Sequence, residues 1–192
     1  FLPEIARTEW VYLINYYGQY QKSEICEWAE QFHLILDNVQ AFYTKPLDGL
    51  DTVYTCRKFF GVPDGAYLYT ESVLPEELEQ DSSCTRLEYL MGRFEHSANA
   101  FYGAYQQHEE QLGTLPIRWM SKGTHNLLRT IDYERAKHAR ENNFAYLHKG
   151  FGAVNRLNVR LPEGPYMYPL WLQNGAEIRK RKSIFRFFGP MY

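Results

Sequence analysis

The chain has 192 residues, 45% of them hydrophobic and 17% aromatic, with a formal net charge of −2. That is enough for a substantial core, at a length suited to one large domain or about one and a half. The charge speaks against a general nucleic-acid binder, which would carry a basic face, and no apolar run approaches the roughly 20 residues needed to cross a bilayer. Cys26, Cys56 and Cys84 are odd in number and lack CxxC spacing, so neither a disulfide framework nor a zinc site is expected. No secretory signal is visible, and a reducing cytoplasm is the expected setting.

"EWVYLIN" (9–15) is nearly continuous apolar and β-prone, which predicts a strand covered on both faces. Ser23 is placed to cap a helix whose Ile25, Trp28, Ala29 and Phe32 share one stripe. "HLILD" (33–37), "DTVYT" (51–55) and "AYLYT" (66–70) follow as three further strands. Strand, helix and strand within about 30 residues form a βαβ unit, so the class is α/β. Leu87, Leu90, Met91, Phe94, Phe101 and Tyr105 then step at helical spacing, predicting one long helix to His108. After the break at "GTLPIRWMSKGT", Asp132 caps a second long helix. "YMYPLWL" (166–172) is strand-like and "GAEIRKRK" (175–182) helix-like. The expected boundary lies near residue 123, dividing a larger α/β part (1–122) from a smaller α+β part (123–192).

Chemistry concentrates between residues 37 and 65. In open α/β sheets, ligands bind beyond the carboxyl ends of the strands. Asp37 closes one strand, Gln40 follows it by three residues, and Lys58 follows the end of another strand by three. "GVPDG" after the lysine is a turn, with Pro63 and Asp64 suited to its central positions. An acid, an amide and an amine together suit pyridoxal phosphate. The amine forms the Schiff base, the acid keeps the pyridine nitrogen protonated, and the amide holds the ring oxygen or covers a face. A hydroxyl such as that of Thr55 can bond the phosphate. The same positions also read as a turn acid, a solvated amide and an exposed charge.

Residues 13–68 resemble the middle of the DegT-type nucleotide-sugar aminotransferases, pyridoxal phosphate enzymes of fold type I. "LINYYGQYQKSEICEWAEQF" is similar to their strand, Gly-Gln and helix segment. "LDNVQAFY" resembles their D-x-x-Q-A motif, and "DTVYTCRKFFGVPDGAYL" their lysine segment. "MSKGTHNLLRTIDYERAKHARENNFAYL" and "YPLWLQNGAEIRK" look like the linking helix and small domain of one branch. The resemblance implies that Lys58 is the Schiff-base lysine, that Asp37 faces the pyridine nitrogen, and that Gln40 contacts the ring oxygen or face. The family's phosphate-binding serine has no clean match; Thr55 is the choice, with Tyr54 next. It also implies a homodimer, glutamate as amino donor and a keto-sugar as acceptor. Relatives with His in place of the lysine are dehydratases, and Lys58 argues against that branch.

The chain opens on Phe1 in strand-like sequence, and nothing before it matches the helix that would hold the cofactor phosphate. The expectation is therefore the central and C-terminal part of an enzyme, with a non-catalytic interaction module as the alternative. Asn15, ending the first strand, reads as a structural cap before a site residue. "IRKRKSIFRFF" reads as a solvated helix end, and "KGFGAV" follows a helix rather than the strand a dinucleotide loop requires. The histidine pairs on the two long helices lack metal-ligand i, i+4 spacing, so no metal is expected.

Overall fold

The computed structural model describes residues 9–74 and 77–175. It is an α/β protein with a four-stranded mixed sheet. Strands β1 (Trp10–Ile14), β2 (His33–Asp37), β3 (Asp51–Thr55) and β4 (Ala66–Tyr69) lie side by side in chain order. Helix α1 (Lys22–Ala29) crosses from β1 to β2, which pair in parallel, as the predicted βαβ unit requires. β2 and β3 are also parallel, with Asp37 opposite Val53. Helices α2 (Glu88–Glu95), α3 (Tyr102–Thr114), α4 (Lys122–Leu128) and α5 (Tyr133–Phe151) follow.

The chain packs as two compact units. The first comprises 1–54, 68–71 and 132–192; the second comprises 55–67 and 72–131. In the first, the two-residue alternation of the strands turns Leu34 and Leu36 onto Ile25 of α1 and Leu50, with Val11, Leu13, Tyr20, Trp28 and Leu47 around them. Each fully buried Leu or Ile contributes about 1.5–3 kcal/mol. In the second unit Phe59, Phe60, Val62, Tyr89 and Leu128 are buried.

Several local expectations are corrected. Among the described residues β1 is covered on one face only: Trp10 and Tyr12 are 64% and 56% exposed, and α1 packs on the face of Val11 and Leu13. Helix α1 starts at Lys22, so Ser23 lies inside its first turn. Its start is served instead by Glu24, whose carboxylate accepts the Gln21 N–H at 2.7 Å. Asp132 does cap α5, accepting the Arg135 N–H at 3.0 Å. The single helix expected over 87–108 is two. The backbone leaves helical geometry at His96, and Ser97 Oγ accepts the Ala100 N–H at 3.2 Å. The Phe101 ring folds back onto Gly92, into space that a Cβ would fill. Residues 166–172 form no strand. Pro165 and Pro169 offer no N–H, and the segment is held by Asn155, which bonds Trp171 N–H at 3.0 Å and Pro169 C=O at 2.9 Å. Of the predicted helix over 175–182, all but Gly175 lies outside the described residues.

Candidate functional site

At the carboxyl ends of β1 and β2, in the first unit, polar side chains are buried and paired. Asp37 ends β2 at 6% exposure. Its Oδ1 accepts the Val39 N–H at 2.8 Å and its Oδ2 accepts the Tyr12 O–H at 2.9 Å. Burial first, then the hydrogen bond and charge of Asp37, push the Tyr12 phenol up to about 12. Tyr12 and Asp37 meet because the residues opposite them, Ile35 and Ile14, fall on the same sheet face.

Asn15 is fully buried and stands at the N-cap position of the 3-10 turn Tyr16–Gly18, but its side chain makes no cap bond to that turn, contrary to the structural cap expected of it. Its Oδ1 accepts the Tyr20 N–H at 3.2 Å, and its Nδ2 donates to Asn38 Oδ1 at 2.9 Å. Asn38 Nδ2 donates to the Tyr54 hydroxyl at 3.4 Å, which in turn donates to the Thr44 carbonyl at 2.9 Å. The network fixes the strand ends of β1, β2 and β3 to one another.

Gln40 lies three residues beyond β2, with its Oε1 accepting the Tyr17 N–H at 3.3 Å. Tyr17 and Gly18 both have left-handed backbones, φ 57° and 69°. For a tyrosine that conformation costs about 1–2 kcal/mol, and Gln40 helps to hold it. Among the described residues the Gln40 Nε2 donates to nothing.

Thr55 and Lys58 belong to the second unit. The segment 56–65 is closed by a bond from the Cys56 N–H to the Gly65 carbonyl at 3.0 Å, with Gly65 at φ 104°. Inside it, Phe59 and Phe60 N–H donate to the Cys56 carbonyl at 3.1 and 2.9 Å, and Val62 N–H to the Phe60 carbonyl at 2.9 Å. Cys56, Phe59, Phe60, Val62, Pro63 and Asp64 are buried, whereas Lys58 is exposed. Among the described residues Lys58 has no ion pair or hydrogen bond, and the Thr55 hydroxyl has no partner. Burial first, then the charge of Asp64, push the Cys56 thiol up to about 12, which suits an inert filler.

Two open clefts lie elsewhere. One of about 470 Å³ is lined by Val154, Arg156, Leu172, Gln173 and Asn174. The other, of about 500 Å³, runs past Asp81, Arg86, Gln111 and Arg118. Neither includes a candidate residue. No helix among the described residues is long and apolar enough to cross a membrane.

Sequence reasoning missed Tyr12, Asn38 and Asp64 as organising groups. Tyr12 is one aromatic in an apolar run, and only strand pairing shows that it faces Asp37. Asn38 had a signal in its position next to Asp37 at the strand end. No protein-family model, curated protein or solved structure matches the chain.

Proposed function

We propose that the chain is a pyridoxal phosphate-dependent aminotransferase of fold type I, related to the DegT-type sugar aminotransferases. In this reading it moves an amino group from a donor such as glutamate to a keto-sugar, nucleotide-linked in that family, and works as a homodimer. The observation that carries the reading is Lys58. It is an exposed, unpaired amine in a loop whose flanking residues are buried, and that loop follows the strand next to the one ending on the buried carboxylate of Asp37.

The donor inventory fits the cofactor. An ionised carboxylate has about four lone-pair sites. Val39 and Tyr12 each take one on Asp37, which leaves capacity for a pyridinium N–H. A charge-assisted bond of this kind contributes about 1.5–3 kcal/mol. Gln40 keeps a free Nε2–H for the ring oxygen, and Thr55 keeps its hydroxyl for the phosphate.

When bound, pyridoxal phosphate supplies an electron sink for the carbon that carries the transferred amino group. Asp37 holds the proton on the pyridine nitrogen, on which that sink depends. Tyr12 and Val39 orient the carboxylate for the task. Lys58 Nζ would hold the cofactor and, once freed by the donor amine, would carry the proton between the substrate carbon and the cofactor carbon within each half-reaction.

The test is to add pyridoxal phosphate to the chain, record the visible spectrum, and fix the cofactor with borohydride. The reading expects a new visible band, lost on adding glutamate, and cofactor fixed on Lys58. Lys58→Ala abolishes both signals. A featureless spectrum with no fixed cofactor contradicts the reading. The exposed Trp10 and Tyr12 on the outermost strand favour a second reading, a non-catalytic interaction module. That reading expects no band, with self-association in sedimentation that Trp10→Lys removes.

A further inference from the structure

The loop that bears Lys58 is gripped from one helix at two points. Glu109 of α3 pairs with Arg57, the residue before the lysine. His108, its neighbour on α3, bonds the Pro63 carbonyl through Nε2 at 2.6 Å. A carbonyl only accepts, so Nε2 carries the hydrogen, and in the neutral ring Nδ1 is then the bare nitrogen. That Nδ1 is buried without a partner, and the ring stacks on Tyr89 with centroids 4.7 Å apart. Burial, the leading cause, lowers the His108 pKa.

A third grip lies at Asp64, whose Oδ2 accepts Arg86 at 3.1 Å and whose Oδ1 accepts the Ser121 hydroxyl at 3.1 Å. Ser121 also caps α4, accepting the Thr124 N–H at 3.1 Å. Between these grips the loop is bonded to itself, from Cys56 to Gly65. A segment so closed moves as one body, so a shift at Pro63 is a shift at Lys58.

We infer that His108 is a positioning residue for the Lys58 amine, acting with Glu109 through the loop backbone. This inference rests on Lys58 being the cofactor lysine, a point that its test keeps separate. His108 touches no reacting atom. It holds the Pro63 carbonyl, and it does so only as the neutral Nε2–H tautomer or as the cation that burial disfavours. The sheet delivers the chain to Thr55, and α3 then sets where the amine stands.

The experiment compares His108→Leu, which removes the donor, with His108→Gln, which keeps an N–H near the Nε2 position. Two readouts are taken on the full chain. Amide hydrogen exchange over 56–65 needs no cofactor. The yield of pyridoxal phosphate fixed on Lys58 by borohydride reports the amine.

In His108→Leu, exchange at Cys56, Phe59, Phe60 and Val62 rises at least tenfold, while the amides of β1 and β2 keep their rates. The fixed yield falls at least fivefold. His108→Gln restores both to within twofold of the unaltered chain. Unchanged loop exchange in His108→Leu overturns the inference. So does faster exchange with an unchanged fixed yield, or a Gln variant as impaired as Leu.

If the unaltered chain fixes no cofactor, the proposed function fails and the clamp is decided by exchange alone, with the localised rise supporting it and its absence overturning it. Should circular dichroism show that His108→Leu does not fold, Glu109→Gln replaces it. Its half-exposed ion pair is the second grip, and it carries the same expectation at about a threefold rise.

Discussion

At the ends of β1 and β2 the side chains of Asn15, Asp37 and Asn38 are buried and hydrogen-bonded, whereas in the Cys56–Gly65 loop the neighbours are buried and a single amine is left out. The first region spends its hydrogen bonds on side chains: Asn15 to Asn38, Asn38 to Tyr54, Tyr12 to Asp37. The second spends them on backbone, closing the loop from Cys56 to Gly65 and fastening it through Pro63 and Asp64. A buried carboxylate is costly unless each oxygen is satisfied, so it needs a network around it. A lysine amine at the surface keeps its contact with water and needs only a firm base. The two regions therefore use different means to hold a charged group in place.

That contrast is broken most decisively at position 58. Lys58→Ala is expected to remove all borohydride-fixed cofactor while leaving stability to urea within about 0.5 kcal/mol, because the side chain is exposed and unpaired. A large loss of stability would mean that the amine is structural and the contrast false. The converse holds for Asn38. Asn38→Ala leaves the Asn15 amide without its acceptor and the Tyr54 hydroxyl without its donor, at a cost of about 2–3 kcal/mol in urea unfolding.

Alkaline titration sharpens the comparison by adding a group from the loop to one from the helices. The Cys56 thiol and the Tyr89 phenol are both pushed up to about 12, mainly by burial. Their protonated forms are favoured in the folded state, so the stability they contribute is full below the unfolded values, near 9.0 and 10.0. It is lost as pH rises from there through about 12. Each group contributes a slope of about 1.4 kcal/mol per pH unit while the unfolded chain has lost the proton and the folded chain has kept it. Urea unfolding at pH 9, 10 and 11 measures it, and a flat profile would contradict the burial of both groups.

The smallest expected effect concerns thiol labelling. Iodoacetamide at pH 7.5 modifies the exposed Cys84 and leaves Cys56 unmodified in the folded chain. Labelling of Cys56 at a rate near that of Cys84 would show the loop to be open.

Much of the sheet was legible in the sequence because strand runs and the βαβ spacing are local signals. "HLILD" and "DTVYT" form β2 and β3 over the residues read as strands. The break between α2 and α3 was not legible, since Leu87 to Tyr105 keeps a helical period straight through it. What ends the helix is tertiary: the Phe101 ring claims the space over Gly92. The outer side of β1 was misread for a related reason. An apolar strand predicts cover on both faces, yet burial depends on which elements pack there, and the strand's own residues do not encode that.

Of the candidate site, the residue types and their strand-end positions were readable, and Asp37 is buried at the end of β2. The partners were not readable, because Tyr12 reaches Asp37 across 25 residues and His108 reaches Pro63 across 45. Spacing along a chain carries no information about contacts at that separation.

The account stands on Asp37 keeping the cofactor ring protonated while Lys58 holds it. The most direct test is nitrogen NMR of pyridoxal phosphate labelled with nitrogen-15 in its ring, bound to the chain at pH 8. The account predicts a protonated pyridinium resonance in the unaltered protein and an unprotonated pyridine resonance in Asp37→Ala. An unprotonated ring in the unaltered protein, or a protonated one that persists without Asp37, would contradict it.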